Sequence, residues 1–215
     1  MDLYIADIKK LEDSLKLETI LTSLPKEDCD KILKFRKLED RMRCALGRVM
    51  IRRLAEEEIG LWDIEIKLSE NGKPYFDIEK APKFNLSHSG DLVVMAAGKY
   101  EVGVDVQKHK SAKWERLIKC FKPSEQEMIR TAEDPEACFY KIWTIKEAFF
   151  KFLGIGISMF KNDDSTIDYR NNRIIYKDSI IYFNVINMAD YTISFCSGKK
   201  SEVNYASLKN FSYKL

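Results

Sequence analysis

Two acidic residues and a lysine in the second half of the chain have the types and spacing of a site for a divalent cation. Glu147 and Lys151 are four residues apart in a segment with helical apolar spacing, so they share a face of the predicted helix. Asp105 and Gln107 are two residues apart in an apolar segment, which places them on one face of a predicted strand. Their side-chain oxygens are ligands that a hard cation accepts. Judged separately, a surface ion pair and a solvated edge strand are the simpler interpretations.

A second group of residues has the chemistry of an anion site. Residues 84–91 run from apolar strand positions into a small polar turn that carries His88, and small hydroxyls, glycine and an imidazole can approach a phosphate closely. Between Lys31 and Arg53 nine residues are lysine or arginine, and only Glu39 and Asp40 oppose them. Such a block suits an anionic small molecule or a nucleic acid, while a β-turn and a solvated helix face are the simpler interpretations.

The elements that must position these residues are predicted from apolar spacing and end signals. A long helix is predicted over Leu38–Ile59 with Gly60 as its stop, and another over Pro135–Leu153 between a capping Asp134 and Gly154. Shorter helices are predicted over 8–21, 25–35, 114–121 and 124–131, and strands over 3–6, 63–68, 84–87, 92–97, 102–106, 173–177, 180–186 and 191–196. The short strand connections indicate an α+β protein with mostly antiparallel sheets.

Composition excludes several classes of protein. The chain has 215 residues, of which 45% are hydrophobic and 33% charged, with a formal net charge of +2, so it can bury a core and its net charge indicates no partner. Five cysteines without a CxxC pair, together with only two histidines, exclude a disulfide framework and a structural zinc site. No signal pattern precedes the first strand, and no apolar run approaches the ~20 residues of a membrane span. We therefore expect a soluble, cytoplasmic protein.

The order and the residues of the motifs resemble those of the Sfp-type 4'-phosphopantetheinyl transferases. The motifs are GKP at 72–74, FNLSHS at 84–89, GVD at 103–105 and WTIKEAFFK at 143–151, followed by Gly154 and Gly156 and preceded by Arg43 ahead of a Leu-Gly pair. The resemblance implies two similar α+β lobes with pseudo-two-fold symmetry, in which mostly antiparallel sheets pack with helices. Residues 1–100 would form the basic lobe that binds the phosphates of coenzyme A, and residues 101–215 the metal-binding, catalytic lobe.

The resemblance also implies an activity and the residues that carry it. The phosphopantetheine arm of coenzyme A, as co-substrate, would pass to a serine of an apo acyl or peptidyl carrier protein, releasing adenosine 3',5'-bisphosphate. The implied catalytic residues are Glu147, Lys151 and Asp105, the implied ligands of Mg²⁺, or of Mn²⁺ in its place, are Asp105, Glu147 and Gln107, and the implied phosphate-binding residues are Arg43, Lys73, Ser87, His88, Lys31 and Lys151. The family usually has glutamate where Gln107 stands, and we expect Gln107 or water to fill that position.

Partners follow from the same resemblance. We expect a monomer that binds coenzyme A and a carrier protein, without nucleic acid or membrane. The carrier would dock on the basic stretch after the metal strand, although a solvated loop and helix would carry the same charges; its lysines are Lys108, Lys110, Lys113, Lys119 and Lys122. Two other functions remain as alternatives. A non-catalytic module binding coenzyme A or a carrier would not need the retained carboxylates and lysine, and a nucleic-acid-binding protein fits poorly with the acidic run at 56–58.

Overall fold

The structure is a computed structural model that describes residues 1–12, 16–110, 114–155, 163–200 and 204–207. The helices are α1 (Ile8–Glu12), α2 (Leu17–Ser23), α3 (Lys26–Leu33), α4 (Leu38–Ile59), α5 (Trp114–Leu117), α6 (Pro123–Thr131) and α7 (Pro135–Leu153), with a 3-10 turn at Ile118–Cys120. The strands are β1 (Asp2–Asp7), β2 (Ile66–Leu68), β3 (Pro74–Phe76), β4 (Lys83–Ser89), β5 (Leu92–Gly98), β6 (Val102–Lys108), β7 (Thr166–Asp168), β8 (Arg173–Tyr176), β9 (Ser179–Met188), β10 (Tyr191–Ser197) and β11 (Asn204–Ser207).

The strands form two main sheets and one small hairpin. The first sheet has the order β11-β1-β5-β4, the second has the order β6-β10-β9-β8-β7, and β2 pairs with β3. Every pairing is antiparallel except that of β1 with β11. The predicted α+β class with mostly antiparallel sheets is therefore confirmed.

The two sheets repeat one connectivity. In the first, β1 pairs with β5, the second strand of the β4–β5 hairpin; in the second, β6 pairs with β10, the second strand of the β9–β10 hairpin. A long helix, α4 or α7, lies in the chain between the opening strand and the hairpin each time. This repeat accords with two similar lobes, while β11 carries the end of the described chain back to the first sheet.

Three apolar clusters hold the layers together. One lies between α4 and the first sheet, a second between α7 and the second sheet, and a third joins the facing surfaces of the two sheets. Strand β5 contributes Val93 and Met95 to the first cluster and Leu92 and Val94 to the third, which explains its uninterrupted apolar run. Each fully buried side chain of this kind contributes about 1.5–3 kcal/mol.

Both long helices end where the sequence indicates. The side chain of Asp134 accepts a hydrogen bond from the backbone N–H of Ala137 at the start of α7. Gly154, with φ of 69°, closes that helix, and Gly60, with φ of 79°, closes α4. A left-handed glycine at these positions avoids the strain that a Cβ atom would introduce. The ends of α7 are therefore set by local chemistry, which fixes the helix that carries Glu147.

Some predicted elements differ from the observed ones. The helix predicted over 8–21 is found as α1 and α2, with 13–15 outside the described residues. The strand predicted over 63–68 shortens to β2, because the carbonyls of Trp62 and Ile64 accept hydrogen bonds from the Arg52 guanidinium at 2.9 and 3.3 Å. Strands β3, β7 and β11 were not predicted, and Gly156 lies outside the described residues. No helix in the described chain is both long and apolar enough to cross a bilayer.

Candidate active site

The site forms where α7 lies directly against strand β6. A Cβ atom built on Gly103 would stand 2.0 Å from the carbonyl oxygen of Ala148 and 2.4 Å from the backbone nitrogen of Phe152. Only glycine permits so close an approach of two backbones. The contact brings the face of α7 that carries Glu147 and Lys151 against the face of β6 that carries Asp105.

Asp105 is buried and held by three side chains. Its Oδ1 atom accepts hydrogen bonds from the Ser87 hydroxyl and from the Lys151 ammonium, both at 2.7 Å. Its Oδ2 atom accepts a hydrogen bond from the amide nitrogen of Gln107 at 3.1 Å. Because the carboxylate is only 1% exposed, this ion pair with Lys151 compensates a charge that water does not reach. Asp105 therefore has one fixed orientation.

Glu147 has no such compensation. It is 4% exposed, and no hydrogen bond or ion pair within the described residues reaches its carboxylate. Burial, then the negative charge of Asp105, raise the pKa of Glu147 to about 7, although Lys151 opposes the shift. A buried carboxylate without a partner is costly when charged. The site thus contains two acidic groups whose charges act on each other, and the ion pair with Lys151 goes to Asp105.

This donor set fits a divalent cation that keeps ligands from elsewhere. Within the described residues there is no group of three or more His, Cys, Asp or Glu side chains that could hold a metal ion. Two carboxylates are nevertheless what Mg²⁺ usually takes from a protein when phosphate oxygens and water complete its octahedron. The unpartnered Glu147 carboxylate beside Asp105 is the place where a cation would relieve the unbalanced charge.

A cluster of cationic and imidazole side chains borders the carboxylates. Arg43 donates to the carbonyl oxygen of Gly90 at 2.6 Å and pairs with Asp40. His88 lies on β4 with part of its side chain exposed; partial burial lowers the pKa of its imidazole, and the charges of Arg43 and Lys151 add to that effect. Both cations therefore lie near enough to the imidazole for their charges to act on it. Their charges suit a phosphate.

Lys73 and Lys31 make no hydrogen bond or ion pair with this cluster within the described residues. The Lys73 ammonium donates to Glu101 at 2.9 Å and to the carbonyl oxygen of Val102 at 3.1 Å. Its turn is fixed to the end of α7 by a 2.9 Å hydrogen bond from the Asn71 amide to the carbonyl of Gly154. Lys31 is exposed on α3. No hydrogen bond or ion pair in the described chain joins either lysine to the carboxylate pair.

Much of the basic block on α4 serves the fold. Arg52 is fully buried, and its guanidinium lies 2.7 Å from Asp28, which Arg48 also approaches. Arg41 donates to the carbonyl oxygens of Leu33 and Phe35. These guanidinium groups are occupied within the protein, so the length of the basic run overstates the charge available to an anion. The sequence alone could not distinguish the basic residues that stabilise the fold from those that are available to bind an anion.

Sequence reasoning also missed a buried charge cluster behind the site. The Lys146 ammonium lies 3.0 Å from both carboxylate oxygens of Glu125 and 2.5 Å from Asp163, and all three side chains are buried. Lys146 precedes Glu147 in α7 and therefore points toward a different side of the helix. The signal available in the sequence was a lysine inside an otherwise apolar helical stretch. The cluster fixes the rotation of α7 against α6.

Comparisons with known proteins agree with this arrangement. Residues 101–200 match a family model described as the 4'-phosphopantetheinyl transferase superfamily, and residues 13–100 match one described as 4'-phosphopantetheinyl transferase, N-terminal. A phosphopantetheinyl transferase of a Thraustochytrium species is 37% identical over 155 residues, which is 62% of this chain and 54% of that protein.

Two bacterial proteins are also similar. The 4'-phosphopantetheinyl transferase psf-1 of Bacillus pumilus is 38% identical over 129 residues, 58% of this chain and 55% of its own. The 4'-phosphopantetheinyl transferase Sfp of Bacillus subtilis is 30% identical over 146 residues, 66% of this chain and 65% of its own. The matching segments thus span between about half and two thirds of these relatives. With two family models covering residues 13–200 between them, the chain belongs to the 4'-phosphopantetheinyl transferase superfamily.

Proposed function

We propose that this chain transfers the 4'-phosphopantetheine arm of coenzyme A to a serine of an apo acyl or peptidyl carrier protein and releases adenosine 3',5'-bisphosphate. The observation that carries the proposal is the meeting of Asp105 and Glu147, from a strand and a helix, beside Lys151, Arg43 and His88. Two acids next to cationic groups suit a substrate that combines a pyrophosphate with a metal ion. Family membership supports the same activity.

Asp105 and Glu147 would hold a Mg²⁺ or Mn²⁺ ion, with the pyrophosphate and water as its other ligands. When bound, the ion supplies positive charge to the phosphate oxygens, on which negative charge develops during transfer. Gln107 now donates its amide N–H to Asp105, and turning that amide over would present its carbonyl oxygen instead. Gln107 would therefore contribute a neutral oxygen where a glutamate would add charge.

The remaining residues position the substrates. Lys151 is 27% exposed, so its ammonium is accessible to a substrate beside Asp105 and would stabilise charge on the pyrophosphate. Arg43 and His88, with Lys73 and Lys31 farther away, would hold the phosphates of coenzyme A. Glu147 would accept the proton of the attacking serine, directly or through water, as the resemblance implies, although binding the cation would make its carboxylate a weaker base. Transfer of this kind depends mainly on positioning and charge.

The carrier would dock on the surface that follows β6. Lys110, Arg116 and Lys119 are exposed there, beside the partly exposed apolar side chains of Leu117 and Met128. Lys108 forms an ion pair with Asp91. Lys122 forms one with Asp163 and also donates to the carbonyl oxygen of Ser165. Lys113 lies outside the described residues. An acidic, partly apolar carrier surface would complement these groups.

A single copy carries the whole set of groups. Asp105, Glu147 and Lys151 come from one chain, so we propose that the protein acts as a monomer, with residues 1–100 supplying the phosphate-binding side and 101–215 the metal-binding side. Its five cysteines are free thiols, which suits the reducing cytoplasm where coenzyme A is found.

Mass spectrometry tests the proposal. A panel of apo carrier proteins is incubated with the protein, coenzyme A and Mg²⁺, and the phosphopantetheine arm should appear on the carrier serine. The reaction should fail with EDTA and with a Glu147→Gln variant. Binding of coenzyme A without transfer to any carrier would instead favour a non-catalytic binding module.

A further inference from the structure

Strand β6 has an edge that is paired by side chains instead of by another strand. It is the terminal strand of the second sheet, and its other edge pairs with β10. The backbone N–H groups of Val104, Val106 and Lys108 point away from β10 and donate to side chains of β4. Their acceptors are Asn85 Oδ1 at 2.9 Å, Ser87 Oγ at 3.3 Å and Ser89 Oγ at 3.0 Å.

These three hydrogen bonds form a side-chain ladder between the sheets. Residues 85, 87 and 89 alternate along β4 and so share one face, while residues 104, 106 and 108 alternate along β6. The ladder satisfies backbone donors that burial would otherwise leave without partners. It also fixes β6, and with it Asp105, relative to the first sheet.

The middle rung differs from the two outer ones. A serine hydroxyl can donate one hydrogen bond and accept two. The Ser87 hydroxyl donates to Asp105 Oδ1 at 2.7 Å, accepts from the Val106 N–H, and accepts from the Lys151 ammonium at 2.8 Å. Its capacity is therefore filled. No hydrogen bond in the described chain connects Ser89 to Asp105 or Lys151.

We propose that Ser87 is a positioning residue, which holds the Asp105 carboxylate and the Lys151 ammonium in the relative geometry that transfer requires. The inference rests on the proposed function. Ser87 is 7% exposed and the three hydrogen bonds of its hydroxyl all go to groups of the protein, so this role of the hydroxyl is exerted through Asp105 and Lys151. The Ser87 Oγ atom, on β4, thus connects β6 and α7 through hydrogen bonds.

Two matched variants test this role. Ser87→Ala and Ser89→Ala each remove one rung, and each should speed amide hydrogen exchange at its own partner, Val106 or Lys108. Only Ser87→Ala should lower kcat of carrier modification, by about tenfold or more, and weaken binding of Mn²⁺, measured by electron paramagnetic resonance, by a similar factor. Ser89→Ala should leave both quantities within about twofold of wild type. Ser87→Thr keeps the hydroxyl and should restore most of the loss.

A fourth measurement, like amide exchange, needs neither metal nor activity. The ¹³Cγ resonance of Asp105 should shift in Ser87→Ala and stay in place in Ser89→Ala. Equal behaviour of the two alanine variants, with an unchanged Asp105 resonance, would overturn the proposal and leave Ser87 as an ordinary rung. If wild type modifies no carrier, the proposed function fails, while the Asp105 resonance still decides the role of Ser87.

Discussion

Gly103 and Ala148 are in backbone contact: a Cβ atom on the glycine would stand 2.0 Å from the carbonyl oxygen of Ala148. Strand β6 and helix α7 therefore meet with no side chain between them at this point. Glu147 and Lys151 flank Ala148 on the helix, and Asp105 lies two residues after Gly103 on the strand. The spacing of the proposed metal site thus depends on the absence of one methyl group.

Replacing Gly103 with alanine should separate the helix from the strand. Because the atoms nearest to the added Cβ are backbone atoms that cannot rotate away, we expect a loss of about 1–3 kcal/mol or more in free energy of unfolding and a loss of transfer activity. Gly198→Ala is the matched control, since its Cβ atom would lie 3.8 Å from Phe152, an ordinary contact. Chemical denaturation and carrier modification measure the two effects; normal activity in Gly103→Ala would contradict the account of the site.

Neutralising either carboxylate should abolish Mg²⁺-dependent transfer without unfolding the protein. We expect Asp105→Asn and Glu147→Gln each to lower kcat by about 10²–10⁴-fold, because each removes charge from the proposed cation site. Glu147→Gln should also raise the free energy of unfolding in EDTA, since it removes an unpartnered buried acid. Full activity in Glu147→Gln would exclude its assigned role.

The role of Gln107 at the proposed cation site can be tested by replacing it with a charged glutamate. Gln107→Glu would place a third carboxylate beside Asp105, so we expect the free energy of unfolding in EDTA to fall by about 1–2 kcal/mol. Added Mg²⁺ should reverse that loss and bind more tightly than to wild type. Wild type should itself be active with Mg²⁺. A dead wild type that Gln107→Glu revives would identify this chain as an inactive copy.

The buried charge cluster behind α7 should control stability in acid. Burial alone would raise the pKa of Asp163, but hydrogen bonds from Lys146 and Ser165 outweigh it and hold the pKa below its usual value. Asp163 therefore stabilises the fold above its unfolded pKa of about 3.9, and this contribution disappears as pH falls through the lower folded value.

Asp163→Asn is the variant for that test. It should lower the free energy of unfolding by about 1–3 kcal/mol at pH 7, and the difference from wild type should shrink in acid. The neighbouring exposed Asp164→Asn is the control and should change little at any pH. A difference that is constant with pH would contradict the assignment.

Reversing exposed charges after β6 should weaken carrier docking. A triple variant, Lys110→Glu, Arg116→Glu and Lys119→Glu, should raise KM for an acidic carrier about tenfold with little change in kcat, because it alters encounter more than chemistry. A Lys99→Glu and Lys200→Glu control reverses exposed charges at the opposite end of β6. An unchanged KM in the triple variant would show that the carrier does not dock on this surface.

The sequence predicted the elements with strong local signals. Helices α4 and α7 were predicted with both ends correct, and three of the four ends are determined by the local backbone chemistry of Asp134, Gly154 and Gly60. Strand β11 was missed because four residues acquire their structure from pairing with β1, some 200 positions away, which no local pattern records. The α+β class followed from the short connections.

The candidate site was only partly predictable. Spacing placed Glu147 and Lys151 on one helical face, and the ion pair that forms is instead between Lys151 and Asp105. That partner comes from a strand 46 residues earlier. The sharing of one Ser87 hydroxyl among three groups, and the burial of Arg52 and Lys146, depend on packing between distant segments.

The parallel pairing of β1 with β11 also bears on how the chain leaves the ribosome. The partner for one edge of β1 emerges about 200 residues after β1 itself, some 10–40 s later at usual rates of synthesis. Through that interval one edge of β1 offers unpaired N–H and C=O groups. A chaperone that shields this nascent edge would raise the yield of correctly assembled protein.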